Sequence, residues 1–248
     1  MHKGKHLTVS CCLLGLLGIE YRVNVGTGNL KMAYDHDQVR EFRIKLEEFR
    51  RNHLEYMTSV LVFTASLEEK PRALFEYGIL RRLFVIEVCV SKLFELSPPD
   101  LSGELDARIR HEANAHLHSF LVNCYGIFDN IAWAIVELQK VKVKNKMEVS
   151  FFHKKFRKYL TPKLREKALK YKEWYEFLRS QRHPTAHRIP PYIVPYTIDG
   201  QDIQDFTPRY IHSLDEGKLV YLHPQILSDC QIILDVLNAF LAGYKSGN

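Results

Sequence analysis

From Asp35 onward, apolar residues recur at three- and four-residue steps. Val39, Phe42, Leu46, Phe49, Met57, Val60 and Leu61 form a stripe that predicts a helix to about Ala65. Pro71 suits the first turn of a second helix. Its stretch from Leu83 to Val90 is apolar on nearly every side, which predicts burial, and Pro98-Pro99 stops it. A third, long helix is expected from about Leu101 to Val141, with Phe120, Cys124, Phe128, Ile131, Ile135 and Leu138 facing inward. Shorter helices follow, broken near Thr161-Pro162, and another runs from about Glu173 through Arg182 until Pro190-Pro191.

Beyond that the period shortens from helix to strand. Tyr196-Thr197-Ile198 precedes Asp199-Gly200, while Tyr210-Ile211 and Leu219-Val220-Tyr221 flank the turn signal Asp215-Glu216-Gly217. Pro224 opens a last helix with Leu227, Cys230, Leu234, Leu237 and Leu241 on one face. The pattern therefore predicts an all-α bundle with a small β-hairpin insertion, about 193–222, before the C-terminal helix. Residues 32–248 form that one domain, and residues 1–31 read as a flexible leader. The leader's apolar run, Leu7 to Ile19, is short of the ~20 residues that span a bilayer and lacks a small-x-small cleavage site. A cytoplasmic protein without stable membrane insertion is expected.

Composition changes this picture little, but charge placement changes it considerably. Five cysteines without Cys-x-x-Cys spacing argue against a disulfide framework or a thiolate zinc site. Between Lys140 and Lys172 the chain carries a net charge of +11, against −5 for the remainder. Such asymmetry points to a polyanionic partner, and Lys154, Lys155, Arg157, Lys158, Lys163 and Arg165 are the candidate RNA-binding residues. A solvated lysine-rich face would have the same composition.

Several chemistries lack their signatures. There is no Gly-rich phosphate loop, no Gly-x-Ser-x-Gly elbow and no His-Glu-x-x-His helix. Arg182-His183-Pro184-Thr185-Ala186-His187 stands out instead. An imidazole with a pKa of about 6.5 can move a proton to or from a ribose or leaving oxygen. A neighbouring guanidinium can bind a phosphate bidentately and stabilise charge developing on it. Positions five apart on a regular helix diverge by about 140°, so Pro184 is expected to disturb the turn and bring Arg182 and His187 together.

This stretch resembles the Arg-x4-His motif of the HEPN superfamily (higher eukaryotes and prokaryotes nucleotide-binding domains), in which Asn, Asp or His follows the arginine and a small residue often precedes the last histidine. His183 and Ala186 meet both preferences, and Arg188-Ile189-Pro190-Pro191-Tyr192 looks like one prokaryotic HEPN subgroup. The resemblance implies a HEPN-like helical bundle and a metal-independent endoribonuclease needing no cofactor. Arg182 and His187 would be catalytic, with His183 assisting or positioning the backbone. It also implies a homodimer acting on RNA, with an antitoxin or defence partner in a toxin–antitoxin or phage-defence setting. The alternative is a non-catalytic HEPN module that binds RNA or a nucleotide, or supports a partner enzyme. Ile189 stands where toxin members of the family carry a modified tyrosine, so neutralisation by modification there is not expected.

A second copy of the pattern, Arg110 to His116, lies near the start of the long third helix, where the family does not usually place it. His116, Asn123, Asn130 and Glu137 are spaced by seven and form a polar stripe drifting only ~20° per heptad. His116, Asn123 and Asn130 either line a cleft facing the motif or lie on the helix's solvated side. His111, His116, His118 and Glu112 fit no standard metal site, and no metal ligand set is assigned.

Overall fold

The Asp35 side chain accepts a hydrogen bond from the Gln38 backbone N–H at 2.8 Å, and the Gln38 side chain accepts one from the Asp35 N–H. This reciprocal cap fixes the start of α1 (His36–Thr64). The structure is a computed structural model that describes residues 34–198, 204–211 and 218–245. The leader at 1–31 and the expected turns at Asp199-Gly200 and Asp215-Glu216-Gly217 lie outside the described residues.

α2 (Glu69–Ala73) passes through a π-helical stretch, Leu74–Leu80, directly into α3 (Arg81–Leu96). α1 and α3 run antiparallel, since Arg50 meets Ser91 and His53, further along α1, meets Phe84, earlier on α3. α3 is buried on one side, not all round as its composition suggests. Leu83, Ile86, Cys89 and Val90 are buried, but Phe84 and Val88 are about half exposed. The helix packs against α1 and α4 and leaves its remaining side open, so an apolar sequence there does not mean burial all round.

α4 (Ala107–Leu138) begins later than expected, because Asp106 caps it and residues 101–106 are not helical. Phe120, Cys124, Phe128, Ile131 and Ile135 are buried as expected, while Leu138 is only partly buried. α4 touches α3, α6, α7 and the small sheet, so it forms the axis of the fold. α5 (Pro162–Lys170) lies within the basic segment, and α6 (Lys172–His187) starts at its end. The last helix, α7 (Leu222–Lys245), buries Leu227, Cys230, Leu234, Leu237 and Leu241 against α1 and α5. By length and composition α4 and α7 could each cross a membrane, but most of each is buried inside the bundle.

Five short strands precede α7: β1 (Tyr192–Ile193), β2 (Thr197–Ile198), β3 (Gln204–Asp205), β4 (Arg209–Ile211) and β5 (Leu219–Tyr221). β4 pairs antiparallel with both β1 and β5, and β2 pairs with β3. The fold is thus mainly helical with a small antiparallel insertion before the last helix. α4 holds that insertion in place. The Asn114 side chain accepts from the Ile193 N–H at 2.7 Å, and His118 Nε2 lies 2.6 Å from the Pro191 carbonyl.

Candidate active site

The arginine-histidine motif sits on the last turns of α6. The helix continues past Arg182 and through Pro184 to His187. Pro184 has no N–H, yet the turn is held because the Thr185 hydroxyl donates to the Gln181 carbonyl at 2.9 Å and the Arg188 N–H to the Pro184 carbonyl at 2.8 Å. The expected break at Pro184 therefore does not occur. On the continuous helix, positions 182 and 187 remain about 140° apart around the axis. His183 is exposed. The backbone of His187 closes α6, and its side chain falls outside the described residues.

Arg182 stands at the end of an aromatic ladder. Phe152 stacks on Tyr175 with ring centres 4.0 Å apart, and Tyr175 stacks on Tyr125 at 5.3 Å. The Arg182 guanidinium carbon lies 5.2 Å from the centre of the Tyr125 ring. A cation over an aromatic face gains ~0.5–2 kcal/mol, depending on how far water is excluded, so the stack restrains the guanidinium. Arg182 Nε is buried without a hydrogen-bond partner among the described residues.

Asp129 lies one turn beyond Tyr125 on α4. Burial pushes its carboxyl above the ordinary carboxylate range, while the positive charges of Arg182 and Arg82 oppose that shift. Among the described residues, neither arginine forms a direct ion pair with it. Arg82 on α3 donates its Nε to Asn130 Oδ1 at 2.8 Å and its Nη1 to Asn123 Oδ1 at 3.1 Å. Asn123 and Asn130 therefore face α3 and hold an arginine; they are not the solvated side of α4. This close approach depends on Gly126, where an added Cβ would lie 2.5 Å from the Arg82 guanidinium carbon.

No protein-family model, curated protein or solved structure matches this chain.

The candidate RNA-binding residues divide by exposure. Lys154, Lys155, Lys158, Lys163 and Arg165 are exposed, whereas Arg157 is half-buried with its Nε unpartnered. Lys155 pairs with Glu148 at 2.6 Å, and Lys158 lies over the Tyr159 ring. Phe151 and Phe152 fasten this segment against Phe128 and Tyr175, which links it physically to the ladder beneath Arg182. Arg110, of the second motif copy, contacts Glu104 and the Leu105 carbonyl ahead of α4, and His116 is half-buried. Among the described residues no group of three or more His, Cys, Asp or Glu side chains could hold a metal ion. An open groove of about 840 Å³ runs along α1 beside Asp100 and Ser102, away from these residues.

Tyr125, Asp129 and Arg82 were not singled out by the sequence pattern. The available signal was Gly126, since a glycine inside an otherwise apolar-patterned helix often marks close approach by another group.

Proposed function

We propose that this chain is a metal-independent endoribonuclease of the HEPN type, built on a HEPN-like bundle. The carrying observation is the placement of Arg182: its guanidinium is held over Tyr125, toward the end of the helix that carries the motif, and its charge opposes the upward shift that burial gives the Asp129 carboxyl. In the proposed reaction the ribose 2′-hydroxyl oxygen attacks the adjacent phosphorus and loses its proton to the His187 imidazole. The phosphorus–5′-oxygen bond breaks, and the leaving oxygen takes a proton from water or from the protonated imidazole. The products are a 2′,3′-cyclic phosphate and a 5′-hydroxyl end. Arg182 binds the phosphate and offsets the charge that builds on it. The exposed lysines of the basic segment gather RNA by neutralising its backbone.

We further propose a cytoplasmic homodimer in a toxin or defence setting. Exposed Phe84 and Val88 offer apolar surface for a two-fold contact. One observation favours the second reading, a non-catalytic module that binds RNA or a nucleotide: the unbroken helix leaves positions 182 and 187 diverging within one chain. Incubating the purified protein with mixed RNA in EDTA tests the first reading. Cleavage that leaves cyclic-phosphate ends supports it; RNA binding without cleavage favours the second, and a Mg²⁺ requirement or cleavage of DNA contradicts the mechanism.

A further inference from the structure

One stripe of α4 holds the chain on both sides of the arginine-histidine motif. Asn114, His118 and Tyr125 fall within about 40° of one another around the helix axis, and from first to last they span about 16 Å along it. Arg182, within the motif, lies over the Tyr125 ring. Beyond the motif, His118 Nε2 meets the Pro191 carbonyl at 2.6 Å. A carbonyl can only accept, so that nitrogen carries the proton and donates it. Asn114 Oδ1 then accepts from the Ile193 N–H at 2.7 Å. The chain from Arg182 to Ile193 thus runs back along α4 from Tyr125 to Asn114. The small sheet braces the same stretch. The buried Tyr210 hydroxyl of β4 donates at 3.1 Å to Oε1 of Gln181, the residue before Arg182, and Tyr210 is also the strand partner of Ile193. Between these ties His183, Arg188 and Ile189 are exposed, so the placement of the stretch depends on how its ends are held.

We propose that Asn114 and His118 are positioning residues for the motif: they fix where the last turn of α6 leaves the bundle, and so how Arg182 and His187 are presented to an RNA phosphate. That role in cleavage rests on the ribonuclease reading. Neither side chain touches substrate; each acts through the backbone that follows the motif. A last turn held at one end alone would sample many placements, and a displacement of about 1 Å is enough to cost up to 10²-fold in rate. His118, which fits no metal site, has its use here.

The test reads placement and chemistry separately on the full chain. Amide hydrogen exchange, followed by mass spectrometry, reports how firmly residues 183–193 are held. Asn114→Ala and His118→Ala are each expected to speed exchange there about fivefold, the scale of one lost hydrogen bond, with peptides from α1 and α7 unchanged. Asn114→Asp keeps an acceptor for the Ile193 N–H, and His118→Gln keeps an N–H for the Pro191 carbonyl, so both should exchange close to wild type. Steady-state cleavage of a defined RNA should show kcat about tenfold lower in the alanine variants, with KM changed by no more than about twofold, and kcat recovered in the conservative ones. A general loss of stability would speed exchange in α1 and α7 as well, and that result overturns the inference. Wild-type exchange in either alanine variant also overturns it, as does local loosening with wild-type kcat. A wild type that binds RNA without cleaving it removes the ribonuclease reading, and the exchange pattern then decides by itself whether α4 holds the motif in place.

Discussion

Arg182, near the end of the motif helix, lies over the Tyr125 ring of α4, with the guanidinium carbon 5.2 Å from the ring centre. Tyr125 is in turn backed by Tyr175 and Phe152, so the arginine rests on a stack three rings deep. A guanidinium restrained in this way loses less freedom when it binds a phosphate. Its usefulness therefore depends on the ring beneath it more than on that ring's hydroxyl, which interacts with Tyr175.

Tyr125→Phe should accordingly cleave RNA like wild type. Tyr125→Leu should lose the cation–π contact and lower kcat roughly five- to tenfold with little change in KM. Steady-state kinetics on a defined RNA check this, and a Leu variant with wild-type kcat would show that the stack does not position Arg182.

Two buried titratable groups give stability a characteristic pH dependence. Asp229, on α7, accepts hydrogen bonds from the Trp174 indole N–H and the Gln225 amide, each at 2.7 Å, yet burial pushes its pKa up to about 7. The folded state then holds a proton that the unfolded state releases near pH 4, so this group's contribution falls as pH rises from about 4 to 7. His223 is the opposite case: burial lowers its pKa to about 3, partly offset by its contact with the Ser97 carbonyl. Its contribution falls as pH drops from about 6.5 toward 3. The two slopes oppose each other between about pH 4 and 6.5. Asp229→Asn keeps an acceptor oxygen for both donors, so it should stabilise the protein at pH 8 and leave a visible loss toward acid. Urea unfolding at several pH values checks this; identical pH profiles for variant and wild type would contradict it.

The parts of this fold that were legible in the sequence are those governed by local rules. The helical period that takes over at Asp35 marks the start of α1, and the apolar face of α7 is readable from Leu227 to Leu241. The hairpins followed from their turn signals, although β1 did not, because Tyr192-Ile193 is too short to show a period and depends on β4 for pairing. Burial of α3 was over-read, since Phe84 and Val88 differ from Leu83 and Ile86 only in which neighbour covers them. Pro190-Pro191 marks the stop of α6, but the disturbance expected at Pro184 is not seen, because the Thr185 hydroxyl and the Arg188 N–H carry the turn through. Within the candidate site, Arg182 was legible by motif. Arg82, Tyr125 and Asp129 were not, because each looks like an ordinary helix residue until three helices meet.

The cap on α1 should be worth measuring alone. Asp35→Ala removes the acceptor for the Gln38 N–H and should cost about 1 kcal/mol. For a chain of this size that corresponds to a fall of roughly 2–4 °C in melting temperature, read by calorimetry. No change would mean that α1 begins independently of its cap.

Association is predicted through the open side of α3. Light scattering should report about twice the 29.1 kDa of the chain, and Val88→Glu, placing a charge on the half-exposed face, should return it to the monomer. A wild type that is monomeric and fully active would rule out a dimeric active species.

The ribonuclease reading is tested most directly by the single-turnover cleavage rate of His187→Ala against wild type, with RNA affinity measured on the same samples. The expected result is a rate at least about 10²-fold lower, the usual scale of general acid–base catalysis, with affinity nearly unchanged. Charge reversal at Lys154 and Lys155 should do the reverse, weakening affinity and flattening its salt dependence. Wild-type cleavage by His187→Ala, particularly if Arg110→Ala or His116→Ala abolishes it, would contradict the assignment of Arg182 and His187.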